Sequence, residues 1–162
     1  VGGVTVGAIV AVNAVGDVID PASGLVVAGA RTEDGSSPLG TTAAILAGNL
    51  PAGLRPGMAT TIGCIATDAR LTKAQAQKIA QTAHDGLARS IDPIHTMFDG
   101  DTIFTVATGK SGLTGNMAAL GAIAAAVMAA AVLRAAMSAT GIKGDGLPSV
   151  PSVPSWSELR GR

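Results

Sequence analysis

The chain has 162 residues and a mass of 15.8 kDa, and its 11 Lys and Arg are balanced by 11 Asp and Glu. That length fits one domain, and the balanced charge excludes the electrostatic footprint of a general nucleic-acid binder. Alanine (31) and glycine (22) dominate, tyrosine is absent, and Phe98, Phe104 and Trp156 are the only aromatics, so a core here is closely packed from small side chains.

Cys64 is the single cysteine, which excludes a disulfide within the chain and a cysteine-framed metal cluster. No metal or cofactor is expected. Nothing in the composition demands an oxidising compartment. The opening Val1-Gly2-Gly3 has a strand-like context without an initiator Met or a basic, cleavable leader. The expectation is therefore the C-terminal part of a longer protein.

Residues 4–13 are β-branched and almost wholly apolar, the pattern of a strand buried on both faces. Turn chemistry follows at Gly16-Asp17 and Asp20-Pro21-Ala22-Ser23-Gly24, and Leu25 to Ala30 reads as a partner strand that pairs with the first as a hairpin. Asp17–Ile19 lengthens one of the two. Residues 31–59 change texture, with Pro38, Pro51, Pro56 and seven glycines or serines among them, and only Thr42–Leu46 suits a short helix. Long segments with so little regular structure are usually functional or mobile, so 31–59 marks the main internal boundary.

Residues 60–68 form a second apolar strand. Thr72 and Gln75 have the spacing of a capping box, and Ala76, Ile79, Ala80, Ala83, Leu87 and Ile91 recur at helical intervals, which predicts an amphipathic helix over 73–91 ended by Pro93. Thr102 to Thr108 is a third buried strand, reached through Asp99-Gly100-Asp101. Asn116 to Thr140 is apolar around the whole helix. About 20 apolar residues can span a bilayer, but the uninterrupted run Met117–Leu133 is 17 residues, mostly Ala, with Arg134 beyond it. It reads as a helix buried inside a soluble protein, with no membrane partner. After Gly141 come serines with Pro148, Pro151 and Pro154, a tail suited to reach a neighbouring molecule.

Chemistry-bearing patterns are sparse. The sequence holds no His-x-x-x-His pair and no Gly-x-Ser-x-Gly elbow, and Gly109-Lys110-Ser111-Gly112 lacks the upstream glycine of a phosphate loop. His84 and His95 read as surface or capping residues, and Asp68 as a residue that fixes the strand-to-helix turn. Thr60 stands out at the junction of the irregular segment and a strand. A threonine hydroxyl needs a base, and a cut just before Thr60 would create one, because an α-amine with a pKa of about 7.7–8.0 is partly neutral near pH 7. The alternative is that Thr60 merely begins a strand, as β-branched residues often do.

The stretch Thr60-Thr61-Ile62-Gly63-Cys64-Ile65-Ala66-Thr67-Asp68-Ala69 resembles the segment after the self-cleavage point in the DmpA-type aminopeptidase family (peptidase family S58), most closely its nylon-oligomer endohydrolase branch. The likeness continues through Ala83-His84-Asp85-Gly86-Leu87-Ala88-Arg89 and Phe98-Asp99-Gly100-Asp101-Thr102, and upstream through Ile9-Val10-Ala11-Val12-Asn13-Ala14-Val15-Gly16, spanning residues 1–110.

This resemblance implies an α+β, four-layer αββα sandwich of the N-terminal-nucleophile type, made by a precursor that cuts itself into two associated chains. Residues 1–59 would end the larger chain and 60–162 form the smaller, both within one domain. Thr60 aligns with the nucleophile, Ala59-Thr60 with the cleavage point, Asn13 with the oxyanion-steadying asparagine, and Asp99 and Asp101 with the pair near the nucleophile's amine. Ala59 stands where the family usually has Asn or Gly, and an uncut chain would keep Thr60 acylated and inactive. The family's tyrosine and lysine lie upstream of Val1. Implied partners are small amides, short peptides or oligoamides and further copies of the protein, a tetramer foremost, in the bacterial cytoplasm. The rival readings are acyl transfer, as in the similarly folded ornithine acetyltransferases, and a non-catalytic, unprocessed scaffold.

Overall fold

The structure, a computed structural model, describes residues 2–49, 57–143 and 152–160. Its elements in chain order are β1 (Val6–Ala11), β2 (Asp17–Ile19), β3 (Val26–Ala28), α1 (Thr41–Leu46), β4 (Ile62–Thr67), α2 (Lys73–Ser90), β5 (Ile91–Asp92), β6 (Thr102–Ala107), α3 (Met117–Ser138) and α4 (Trp156–Arg160). Mixed helix and sheet is the class expected. Pro51, Gly53 and Pro56 of the irregular segment, and Pro148 and Pro151 of the tail, lie outside the described residues.

β4 is the centre of the main sheet, with β1 antiparallel on one side and β6 parallel on the other. Its side chains alternate, Gly63, Ile65 and Thr67 buried against Ile62 and Ala66 exposed, as the two-residue period of a strand requires. The buried face meets α2 and α3. The core there is Ile65, Ile79, Ala83, Leu87, Ile103, Leu120, Ala124, Met128 and Val132.

The abundance of small residues now has a cause. A Cβ at Gly63 would stand 2.7 Å from Met128 Cε, and one at Gly86 would stand 2.4 Å from the Ala125 carbonyl oxygen. Glycine at these two positions lets α3 lie against both the sheet and α2, where closeness maximises dispersion contacts. α2 starts at a complete capping box. The Gln75 N–H donates to Thr72 Oγ1, and the Thr72 N–H donates to Gln75 Oε1 at 2.9 Å. Asn116 Oδ1 caps α3 by accepting from the Ala119 N–H at 3.0 Å.

Three expectations are corrected. The first strand does not form a hairpin with Leu25–Ala30. β1 pairs with β4 over six residues, whereas β3 pairs with β2, and β2 also with β5. The turn Asp20–Gly24 closes only the short pair, through Asp20 N–H to the Leu25 carbonyl and Gly24 N–H to the Asp20 carbonyl, while the long apolar β1 finds an equally long partner. α3 is not buried all round. Leu120, Gly121, Ala124, Ala125, Met128, Ala129 and Val132 form one buried stripe, and Ala118, Ala122, Ala126 and Ala130 face outward. It is long and apolar enough to cross a membrane by length and composition, yet it lies along α2 and β1. Residues 152–160 of the tail turn back on their own chain, with Ile142 bridged to Val153 and α4 against α3.

The other face of the main sheet carries exposed Ile9, Ile62, Phe104 and Val106. The smaller sheet does not cover it, because β2 and β3 pack on α3. The described residues thus supply one helix layer and one sheet layer of a sandwich.

Candidate active site

Thr60 lies two residues before β4. The antiparallel register that pairs Ala11 with Ile62, continued by two residues, sets Asn13 opposite Thr60, and the Asn13 carbonyl accepts the Thr60 N–H at 2.8 Å. On the other side, a parallel bridge between Ala59 and Asp99 carries the β4–β6 register back past the sheet. Thr60 is therefore gripped from both sides, at the mouth of the sheet, by backbone that the ladders position.

The Ala59–Thr60 peptide is closely constrained. Ala59 is buried, and its carbonyl oxygen accepts the Thr60 hydroxyl at 2.6 Å and the Gly100 N–H at 2.8 Å. Gly100 must be small, since a Cβ there would stand 2.9 Å from Thr60 Oγ1. Asn13 Nδ2 donates to the Met58 carbonyl at 3.2 Å. In the continuous chain the side-chain amide credited with an oxyanion role is thus held one residue before the Ala59 carbonyl.

The two aspartates flank Gly100, and neither carboxylate bonds to the Thr60 nitrogen, which is committed to Asn13. The Asp101 side chain is 2% exposed, with Oδ1 accepting the Thr61 N–H at 2.8 Å and Oδ2 facing His95 Nδ1 at 2.9 Å. Asp99 Oδ2 accepts the Thr96 N–H at 2.8 Å and the Thr96 hydroxyl at 2.6 Å. Asp99 Oδ1 is buried with no hydrogen-bond partner among the described residues, as is Thr61 Oγ1. Such an oxygen is costly to bury.

Sequence reasoning missed two participants. Gly100 was one letter of a turn, and His95, six residues from Asp101, shows no periodic signal that would join them. His95 adopts φ 57°, in the left-handed region where non-glycine residues are uncommon. Its ring lies 5.0 Å from that of His84 on α2. Partial burial, and next the charge of His95, lower the proton affinity of His84 from its ordinary value, against opposing pulls from Asp101 and Asp85. Asp68 acts as expected of a turn residue, since its Oδ1 accepts the Thr5 N–H at 2.8 Å and its carbonyl accepts the Ser111 hydroxyl at 2.9 Å. Among the described residues no group of three or more His, Cys, Asp or Glu could hold a metal ion.

A cavity of about 430 Å³ opens beside Asn13, between the end of β1 and the Ala135, Ala136 and Ala139 end of α3. A second, of about 300 Å³, lies on the open sheet face over Ile9, Ile62, Cys64 and Phe104. Both are lined mainly by aliphatic side chains.

The sequence model of peptidase family S58 matches residues 1–148. An uncharacterized aminopeptidase of Mycobacterium bovis is 46% identical over 111 residues, covering 66% of this chain and 32% of that protein. The 6-aminohexanoate-oligomer endohydrolase of Kocuria sp. is 35% identical over 139 residues, covering 78% of this chain and 39% of that protein. The chain therefore spans about a third of the length of these relatives. Among solved structures, the L-aminopeptidase D-Ala-esterase/amidase of Ochrobactrum anthropi, described as a variant of the Ntn-hydrolase fold, superposes with a TM-score of 0.51. It shows 19% identity over 63% of this chain and 32% of that one.

Proposed function

The chain belongs to peptidase family S58, has the Ntn-hydrolase type of fold, and on that premise we propose that it carries the nucleophile of a self-processing hydrolase of amide bonds. One observation carries the reading. The Ala59 carbonyl oxygen receives both the Thr60 hydroxyl and the Gly100 N–H, so the reacting groups of an intramolecular acyl shift already share one constrained, buried peptide. Such proximity can supply a large part of a barrier.

In the first step Thr60 Oγ1 bonds to the Ala59 carbonyl carbon while the Gly100 N–H steadies the oxyanion. The C–N bond then breaks, and the Thr60 nitrogen takes up the hydroxyl proton. Water hydrolyses the resulting ester, leaving an Ala59 carboxylate, the Thr60 hydroxyl and a free α-amine. Ala59, in place of the family's usual Asn or Gly, keeps the main-chain carbonyl that this step needs.

Release of Met58 and Ala59 would free Asn13 Nδ2 for the oxyanion of a substrate. The Asn13 carbonyl, already 2.8 Å from the Thr60 nitrogen, would orient the new amine. Thr60 then attacks the substrate amide, its amine takes the hydroxyl proton and passes it to the leaving amine, and water releases the acyl group. Asp99 and Asp101 brace the loop that carries Gly100. The aliphatic cavity beside Asn13 suits aliphatic acyl chains, and the relatives' names point to short peptides and 6-aminohexanoate-type oligoamides as the substrates to try.

The test is denaturing intact-mass analysis of the full-length protein beside Thr60→Ala, with hydrolysis of an aminoacyl anilide and an aminohexanoate oligomer. Two fragments divided before Thr60 in the parent, one uncut chain in Thr60→Ala and turnover only by the parent are expected. A cut at another bond, or one that persists in Thr60→Ala, overturns the reading.

A further inference from the structure

We propose that His95 is a positioning residue for the Thr60 nucleophile, acting through the Asp101 carboxylate on the peptide that joins Thr60 to Thr61. The inference rests on Thr60 being the nucleophile. Its basis is a relay of three groups. His95 Nδ1 meets Asp101 Oδ2 at 2.9 Å, and Asp101 Oδ1 accepts the Thr61 N–H at 2.8 Å. That N–H belongs to the first peptide after Thr60. The carbonyl of Thr61 is bound by the Thr102 N–H at 3.0 Å, so the Asp101 carboxylate completes the clamp on the N-terminal side of Thr61.

The carboxylate cannot hold that place alone. Its side chain is 2% exposed, and a buried carboxylate oxygen left without a donor is costly. One donor is the Thr61 N–H; the other is His95. The contact fixes the chemistry of the imidazole, because a bare Nδ1 lone pair would oppose the carboxylate oxygen. The ring must carry its proton on Nδ1, as the neutral tautomer or as the imidazolium.

His95 reaches this position only by taking a φ of 57°. A non-glycine residue in this region is retained where surrounding contacts impose it, and such residues cluster at functional sites. The titratable groups that the structure sets against the ring are Asp101 and the His84 ring of α2, 5.0 Å away. With its ring 41% exposed, His95 adds little to the core. Its structural yield is the bond to Asp101.

The geometry permits a test that separates this bond from backbone strain. Asn tolerates positive φ and keeps a donor close to where Nδ1 stands. Gly tolerates positive φ and has no donor. Asp has the shape of Asn but sets a second carboxylate against Asp101. In the full-length protein, His95→Asn is expected to retain self-cleavage and kcat within about threefold of the parent. His95→Gly should lower kcat by roughly 10–100-fold, the equivalent of one charge-assisted hydrogen bond, with KM near that of the parent. His95→Asp should match the glycine variant at neutral pH. The ratio of its kcat to that of the glycine variant should rise on acidification, as one carboxyl of the pair takes up a proton and donates it while the loss of the α-amine base is common to both.

Equal rates for the Asn, Gly and Asp variants overturn the proposal. So does an Asn variant as impaired as the Gly variant, which would make the imidazole itself essential. If His95→Gly fails to fold, the comparison of Asn with Asp decides on the same terms. A parent that is not cut before Thr60 is a different failure, that of the reading on which the inference rests, and the parent's own mass spectrum reveals it.

Discussion

A methyl group at position 100 would sit 2.9 Å from the Thr60 hydroxyl oxygen and 3.8 Å from the Ala59 carbonyl oxygen. Gly100→Ala therefore keeps the N–H but pushes it, or the hydroxyl, off line. Position 100 is exposed, so stability should change little. Self-cleavage should slow by about 10²-fold, the scale of a misplacement near 1 Å, as measured by time-resolved intact mass after expression. The candidates Asn13, Ala59, Asp99 and Asp101 come from ordered motifs, and Thr60 also from its place between an irregular segment and a strand. The structure brings these residues close, since ladder registers set Asn13 opposite Thr60 and Asp99 beside Ala59. His95 was legible only as a histidine. Its link to Asp101 depends on a left-handed backbone that no spacing announces. Asp17 was likewise hidden in a short turn. It is buried, and its carboxylate accepts the Thr41 N–H and hydroxyl at 2.6 and 2.8 Å.

The helices were the most readable elements, because the capping box and the 3.6-residue period are local signals. β2 and β3, three residues each, read as strand but with the wrong partners, and β5 and α4 were not anticipated. Strands that short take their partners from tertiary context. α2 also carries a titration consequence. His84 binds a proton less readily in the folded chain than its ordinary value of 6.5. As pH falls through that value the unfolded chain gains the proton first, so stability falls with acidification until the folded ring is protonated as well. The contribution of neutral His84 is thus complete above about pH 6.5 and lost below it. His84→Gln should flatten the fall in melting temperature between about pH 7 and about pH 5, measured by thermal unfolding against the parent in matched buffers. An unchanged slope would assign the acid sensitivity elsewhere.

At the scale of the molecule, α2 and α3 cover one face of the main sheet, and the other presents Ile9, Ile62, Phe104 and Val106. A contiguous apolar surface of this kind marks an interface. In a four-layer sandwich such a face packs on a second sheet, and because this chain spans about a third of the length of its relatives, we propose that the rest of a full-length protein supplies that sheet. Phe104→Ala in the full-length protein should then cost about 3–5 kcal/mol, as for a buried aromatic, in chemical denaturation. A change within about 0.5 kcal/mol, typical of surface sites, would show that the face stays open. The sequence pointed to the sandwich through family motifs alone. Its apolar strands read as buried on both faces, whereas in this chain one face is left exposed at Ile9, Phe104 and Val106.

The six-residue pairing of β1 with β4 joins chain from before Thr60 to chain from after it. A break at Ala59–Thr60 would sever the polypeptide yet leave that seam stitched by its ladder, with both edges of the cut sewn into one sheet. Scission would then act as a local unlatching, handing the threonine a new terminus without letting the pieces drift apart.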